Sequence, residues 1–144
     1  MLVVYMERKI VIDTNVLIGA LIGKKYGANR KLIEYCFTGR FKPLINTTLF
    51  TEYEDVASRE EIVSKSPYSI TEVQELFDAF YNVCQWIKIY YLWRPNLPDE
   101  NDNYLVELAV AGNAEAIITH NIKDFQNSQL KFPNIQIKLP QEII

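Results

Sequence analysis

Short apolar runs alternate along the chain with segments of helical periodicity. Residues 10–12, Ile-Val-Ile, form an unalternating β-branched run, which is typical of a strand buried on both faces of a parallel sheet. Strands alternating with helices predict an α/β fold with a mainly parallel central sheet. The other predicted strands are residues 42–46, 87–91, 116–119 and 135–139.

The helices predicted between these strands carry apolar residues at three- and four-residue spacing. In residues 28–37, Leu32, Ile33 and Cys36 share one face, which predicts a helix with that face inward. Polar residues favour helix starts because their side chains accept hydrogen bonds from free backbone N–H groups. Predicted caps are Asn15, the capping box of Ser69 with Glu72, and Asn101 or Asp102. Thr47 or Thr48 is predicted to begin a helix that runs to about Ser58.

The size and composition of the chain favour one compact domain over residues 1–144. Of its 144 residues 49% are hydrophobic, so the chain can bury a core without disulfides. Cys36 and Cys84 have no metal-ligand spacing and are expected to be reduced, buried thiols. We expect no membrane span and no signal peptide, which predicts a cytoplasmic protein.

The net charge of −3 argues against binding nucleic acid through general electrostatic attraction, for which proteins are usually basic. Either nucleic acid is not the ligand, or the acidity is concentrated in a site that metal ions neutralise. The positions of the acidic residues distinguish these two possibilities.

Asp13 and Glu52 occupy positions at which a carboxylate requires a structural or functional explanation. Asp13 directly follows the first apolar run, and ligand sites of parallel sheets lie beyond the carboxyl ends of the strands. Capping of the next helix is an equally good explanation for Asp13 alone. Glu52 shares the predicted inward stripe of Leu49, Tyr53 and Val56, where a carboxylate is costly unless it is paired or bound to metal.

Further acids lie before and after later elements of the chain. Asp99 and Asp102 stand where a loop becomes a helix, and Asp124 follows the strand of residues 116–119. Carboxylates crowded at one edge of a sheet repel each other unless a cation joins them. Mg²⁺ or Mn²⁺ fits such oxygen ligands and suits phosphodiester hydrolysis, in which the metal activates water and stabilises the leaving oxygen.

Three motifs together resemble the PIN-domain nucleases, especially the VapC-like toxins of toxin–antitoxin modules. They are VIDTNVLIGAL with Asp13, LFTEYEDVASR with Glu52, and LPDENDNYLVELAVAGNAEAIITHNIKDF with Asp102 and Asp124. The resemblance spans roughly residues 9–125, nearly the whole chain. It implies a three-layer α/β/α, Rossmann-like fold whose central sheet is mainly parallel.

The resemblance also implies roles for individual residues. Asp13, Glu52 and Asp102 would be the core catalytic and metal-binding acids, with Asp124 as the fourth. Many relatives carry an Asp where this chain has Asn121, which would here be a neutral partner of Asp124. The supporting residues would be Thr14, Asn15, Asp99, Thr119 and Asn121, and the weaker substrate-binding candidates are Lys24, Lys25, Arg30 and His120.

The resemblance implies cleavage of single-stranded RNA. A single strand can be threaded into a binding groove, and its bases can be contacted there, more easily than a duplex. Toxin relatives often form homodimers and bind an antitoxin protein, so both are possible partners. One alternative is a non-catalytic PIN-like RNA-binding or regulatory module, because Asn121 replaces an acid and weakens the site.

Two further classes fit the residues less well: aspartyl-phosphate proteins, which are phosphatases or receiver domains, and nucleotide-binding folds. A phosphatase that forms an aspartyl phosphate needs a second Asp two residues after the first, where this chain has Asn15. A receiver domain needs a late Lys, for which Lys123 is an indifferent candidate. A nucleotide-binding fold needs a glycine-rich phosphate loop after the first strand, and the sequence there is DTNVLIG.

Overall fold

The computed structural model describes residues 8–22, 27–88, 100–125 and 132–144, with the backbone alone described for 100–103. Its sheet has five parallel strands in the order β3-β2-β1-β4-β5. The strands are β1 (Arg8–Ile12), β2 (Phe41–Ile45), β3 (Gln85–Trp86), β4 (Ala116–Ile118) and β5 (Gln136–Lys138). The prediction of an α/β fold with a parallel sheet is confirmed.

Helices connect the strands, as parallel pairing requires. In the described ranges they are α1 (Thr14–Ile22), α2 (Ala28–Phe37), α3 (Thr47–Ala57), α4 (Glu60–Val63), α5 (Ile70–Val83), α6 (Glu100–Ala111) and α7 (Pro140–Ile143). A 3-10 turn spans Ile122–Phe125. The bounds predicted for α2 are confirmed, whereas α4, α7 and the 3-10 turn are too short for periodicity to reveal.

Strand β1 lies at the centre of the sheet and has both faces covered. Ile10, Val11 and Ile12 have no solvent exposure, although successive side chains of a strand point to opposite faces. Layers of structure therefore lie on both sides of the sheet, and the three-layer α/β/α architecture is confirmed. Asp13 follows at the carboxyl end of this central strand.

Two of the predicted helix caps are wrong. Helix α1 begins at Thr14, so Asn15 lies inside its first turn. The reason is that the Asp13 carbonyl accepts hydrogen bonds from the Val16 and Leu17 N–H groups. Helix α6 already begins at Glu100, which places residues 101 and 102 in its first turn instead of at its cap.

The other caps agree better with the sequence. Helix α3 begins at Thr47, the first of the two predicted residues, and Asn46 caps it by accepting a hydrogen bond from the Leu49 N–H. The capping box of Ser69 and Glu72 at the start of α5 is confirmed.

Strand β3 lies earlier than the predicted residues 87–91. Gln85 and Trp86 pair with Leu44 and Ile45, the last residues of β2. The Ile87 N–H still donates to the Ile45 carbonyl, but β2 ends there and offers no further partner. Residues 89–91 of that prediction lie outside the described ranges.

The two cysteines are buried, reduced thiols, as the sequence predicts. Cys36 and Cys84 are buried and free, and burial raises the pKa of the Cys36 thiol to about 12. None of the helices in the described ranges combines the length and apolar character that crossing a bilayer requires.

A cavity of about 200 Å³ lies among α1, α3, α4 and α5, and we call it the helical cavity. Its lining is mainly apolar and includes Leu21, Ile62, Tyr68, Val73 and Phe77. Leu21 is near the far end of α1, about 12 Å along the helix axis from Asp13 at 1.5 Å per residue. The helical cavity is therefore separate from the carboxyl end of β1.

Candidate active site at the end of the central strand

The backbone of Asp13 is fixed where three elements meet. Its N–H donates to the carbonyl of Ile118, the last residue of β4, over 2.9 Å, and its carbonyl accepts the first hydrogen bond of α1. The position of Asp13 is thus set by the β1–β4 pairing and by the start of α1. The prediction from the apolar run, that Asp13 sits at a strand end, is confirmed.

The side chain of Asp13 is held by Thr119. The Thr119 hydroxyl donates to Asp13 Oδ2 over 2.7 Å, and Thr119 has no solvent exposure. The Asn121 N–H donates to the same hydroxyl oxygen over 3.0 Å, which leaves the hydroxyl hydrogen for Asp13. Thr119 and Asn121 therefore orient the carboxylate, as two of the predicted supporting residues.

Burial raises the pKa of Asp13 above its ordinary value, and the negative charge of Asp124 adds to this rise. The hydrogen bond from Thr119, the backbone N–H of Thr14 and the charge of His120 act in the opposite direction but are weaker. A carboxylate whose charge is disfavoured by burial gains the most from a nearby cation.

Thr14 carries a buried hydroxyl that lacks a partner. The residue is 4% exposed, and its Oγ1 makes no hydrogen bond within the described part of the chain. Buried polar atoms are nearly always satisfied, so an orphaned hydroxyl beside Asp13 indicates a position for a water or a ligand. The donor set, a carboxylate and a hydroxyl oxygen, consists of the hard ligands that Mg²⁺ and Mn²⁺ prefer.

Helix α3 is joined to the end of β1 by a residue that the sequence did not reveal as functional. The Tyr53 hydroxyl donates to the carbonyl of Ile12, the residue before Asp13. Leu49, Tyr53 and Val56 are buried as the stripe predicted, and Glu52 beside them is half-buried. The sequence pattern identifies Tyr53 only as a core residue, because the partner of its hydroxyl lies 41 positions away.

Asp124 lies close enough to Asp13 for the two carboxylates to interact electrostatically. It lies exposed in the 3-10 turn after β4, and its N–H donates to the Asn121 carbonyl over 3.1 Å. Phe125 next to it has no solvent exposure and anchors the turn in the core. The turn thus brings the charge of Asp124 close enough to act on Asp13.

Helix α6 begins at the same end of the sheet as Asp13. A short turn leads from its last residue into β4. Its first turn, with residue 102, therefore lies towards the carboxyl ends of the strands. The side chain of Asp102 lies outside the described part, as do Asp99, Lys24 and Lys25. Glu107 on α6, which the sequence analysis missed inside its apolar run, is 4% exposed.

The described side chains do not form a complete metal site by themselves. Within residues 8–22, 27–88, 104–125 and 132–144, no three His, Cys, Asp or Glu residues lie close enough together to hold a metal ion. Asp13 and Asp124 are brought together, and Glu52 joins no such group.

His120 and Arg30, two of the predicted substrate-binding residues, have protein partners. His120 Nε2 lies 3.0 Å from Asn29 Oδ1. The Arg30 guanidinium lies over the Tyr68 ring, 5.2 Å from its centroid. Asn29 has no sequence signal, since its partner is 91 residues away.

Comparisons with known proteins agree with this architecture. The family model described as PIN domain matches residues 9–123. A chain of VapBC2 from Rickettsia felis, solved bound to a DNA fragment from their promoter, superposes with a TM-score of 0.53 and 20% sequence identity. The superposition covers 90% of this chain and 96% of that chain. No curated protein matches.

Proposed function

This chain belongs to the PIN domain family, and we propose that it is an endoribonuclease that cleaves single-stranded RNA with Mg²⁺ or Mn²⁺. The observation that carries the proposal is Asp13, a half-buried carboxylate held at the end of the central strand by the fully buried Thr119. Hydrolysis of a phosphodiester by metal ions needs such a fixed acid, and it needs no nucleophilic side chain.

The proposed metal ligands are Asp13, Glu52, Asp102 and Asp124. When bound, the metal supplies an activated water and stabilises the charge that develops on the leaving oxygen. Thr119 contributes by fixing Asp13 Oδ2, which holds the carboxylate in the orientation in which it would bind the metal. The Thr14 hydroxyl, which has no hydrogen-bond partner among the described residues, would bind a water or a phosphate oxygen, with Asn15 and Asp99 in outer supporting positions.

The biological role that we propose is that of the toxin in a cytoplasmic toxin–antitoxin pair. The support is the likeness of fold to a chain of a VapBC2 complex, together with membership of the PIN domain family. The partner would then be an antitoxin protein, and a homodimer is the proposed assembly. Co-expression with the product of an adjacent antitoxin-like gene, followed by co-purification, tests this part separately.

The deciding experiment for the activity is cleavage of a labelled single-stranded RNA by the purified protein. Cleavage should occur with Mn²⁺ or Mg²⁺ and stop in EDTA. Asp13→Asn should lower the rate by more than about a hundredfold, because it removes a metal ligand and keeps the side chain's shape. Asp55→Asn is the matched control, since Asp55 is exposed and paired with Arg59. Equal cleavage by Asp13→Asn and the parent would refute the proposed site.

A second variant tests the acid on α3. Glu52→Gln should weaken metal binding, measured by calorimetry, because it removes one charged oxygen ligand. Glu61→Gln on α4 is the control, because Glu61 is exposed. If Glu52→Gln unfolds the protein and leaves metal affinity unchanged in the folded fraction, Glu52 has a structural role instead.

The second candidate function is a non-catalytic PIN-like RNA-binding or regulatory module. Asn121, an amide where many relatives carry an acid, favours it. The two functions differ in metal binding: the nuclease should bind Mn²⁺ in a titration that Asp13→Asn abolishes, whereas the module should bind RNA equally well in EDTA.

A further inference from the structure

His120 is held by a residue from a distant part of the chain. It follows Thr119, and its Nε2 lies 3.0 Å from Oδ1 of Asn29 in the first turn of α2. The ring is exposed, and it lies close enough to Asp13 for an electrostatic interaction between the two side chains. One hydrogen bond thus ties the start of α2 to the loop that carries Thr119 and Asn121.

Gly19 on α1 makes room for this arrangement. A Cβ atom built on Gly19 would lie 2.2 Å from Asn29 Nδ2 and 3.0 Å from Asn29 Cγ. Real carbon atoms do not approach so closely, so any larger residue would push the Asn29 amide away. The missing side chain at Gly19 therefore leaves the space that is occupied by the Asn29 amide, which holds His120.

The hydrogen bond fixes which ring nitrogen of His120 carries the proton. An amide oxygen only accepts, so the contact between Asn29 Oδ1 and His120 Nε2 selects the ring form that carries its hydrogen on Nε2. In that neutral form Nδ1 is an acceptor. With Nδ1 as an acceptor, His120 can bind a substrate group that donates a hydrogen bond.

We propose that Asn29 is a positioning residue that orients His120 so that Nδ1 accepts a hydrogen bond from a ribose 2′-hydroxyl of the substrate. The inference rests on the proposed function and adds to it a basis for selecting RNA over DNA. Phosphate oxygens only accept hydrogen bonds, so the 2′-hydroxyl is the single donor on the RNA sugar–phosphate backbone, and DNA lacks it. His120 follows Thr119, whose hydroxyl holds Asp13, so an RNA backbone that reaches Asp13 would pass near His120.

The test compares a single-stranded RNA with copies that carry one 2′-deoxy nucleotide at each position in turn. The wild-type protein should cleave one of these copies about threefold to tenfold more slowly, the effect of one neutral hydrogen bond. Asn29→Ala, His120→Phe and Gly19→Ala should all bring this ratio close to one. Asn82→Ala is the matched control, because Asn82 is exposed on α5, and it should keep the wild-type ratio.

Two measurements separate this inference from the proposed function. Nitrogen NMR of the His120 ring should find the hydrogen on Nε2 in the wild-type protein and a mixture of both forms in Asn29→Ala. In an Asp13→Asn background that does not cut, RNA should bind more tightly than DNA of the same sequence, and Asn29→Ala should remove the difference.

Each result then supports or overturns the inference by itself. RNA cleavage with an unchanged ratio in Asn29→Ala overturns the inference and leaves the nuclease intact. No cleavage, together with a binding preference that Asn29→Ala removes, supports the role of Asn29 and refutes the nuclease. A hydrogen on Nδ1, or equal binding of RNA and DNA by the Asp13→Asn protein, overturns the inference.

Discussion

The carboxyl end of β1 and the helical cavity are both internal regions reached by α1, but they are built in opposite ways. At the carboxyl end of β1, polar atoms of Asp13, Thr14 and Thr119 meet, and Thr14 Oγ1 has no hydrogen-bond partner within the described part of the chain. The helical cavity is lined mainly by apolar side chains such as Leu21 and Phe77. Burying polar groups costs stability, whereas burying apolar surface provides it. Substitutions in the two regions should therefore separate activity from stability.

The largest stability effect is expected at the helical cavity. Phe77 is 1% exposed and contacts Tyr81 with ring centroids 5.9 Å apart. Phe77→Ala should lower the free energy of unfolding by about 3–5 kcal/mol, because it enlarges an existing cavity. Denaturant unfolding measures the loss. The folded fraction should keep its cleavage rate, and a proportional loss of rate in that fraction would show that the two regions are coupled.

Tyr53→Phe tests the link between the core and the site. It removes the hydroxyl that donates to the Ile12 carbonyl and leaves a buried carbonyl without that donor. We expect a loss of about 1–2 kcal/mol in unfolding free energy together with a lower cleavage rate. A stability loss with no change in rate would mean that Asp13 does not depend on the hold of α3 on β1.

Ser69→Ala serves as a surface reference for both regions. Ser69 is exposed and caps α5, accepting from the Glu72 N–H over 3.1 Å. The substitution should cost about 1 kcal/mol, measured by thermal unfolding, and should leave cleavage unchanged. A larger cost than that of Tyr53→Phe would reverse the expected ranking of buried and surface hydrogen bonds.

The smallest stability change is expected from Asp13→Asn, and it is a gain. Because the pKa of Asp13 is raised in the folded protein, the folded state holds this proton more tightly than the unfolded chain does. The contribution of Asp13 is most favourable below the ordinary Asp pKa of about 3.9 and is lost as the pH rises through the folded-state pKa. Melting temperatures should therefore favour the variant at pH 7 and converge towards pH 3. A less stable variant at pH 7 would contradict the burial cost.

The two regions also differ in how far the sequence predicted them. Asp13 was predicted because a buried run of residues 10–12 ends in an acid, a signal contained in four adjacent positions. The capping box of Ser69 and α2 were predicted for the same reason, since their interactions are local. Tyr53, Asn29 and Gly19 were missed because their partners are distant in the chain and are brought close only by tertiary packing.

The misplaced elements have a similar explanation. Asn15 was predicted as a cap from its residue type, but the first helical hydrogen bonds go to the Asp13 carbonyl. The extent of β3 depends on where its neighbour β2 ends, which no residue of β3 encodes. The helical cavity has no sequence signature because it is the space left between four helices.

The pairing order of the sheet has a consequence for the timing of synthesis. Strand β1 is translated first, yet one of its two neighbours is β4, and the hydroxyl that holds Asp13 comes from a residue 106 positions later. Contacts of such long sequence separation form late and slowly. A growing chain on the ribosome therefore carries Asp13 long before β4 emerges, and it cannot complete the surroundings of Asp13 until then. An unfinished chain that ends before β4 therefore lacks the hydrogen bond that holds Asp13.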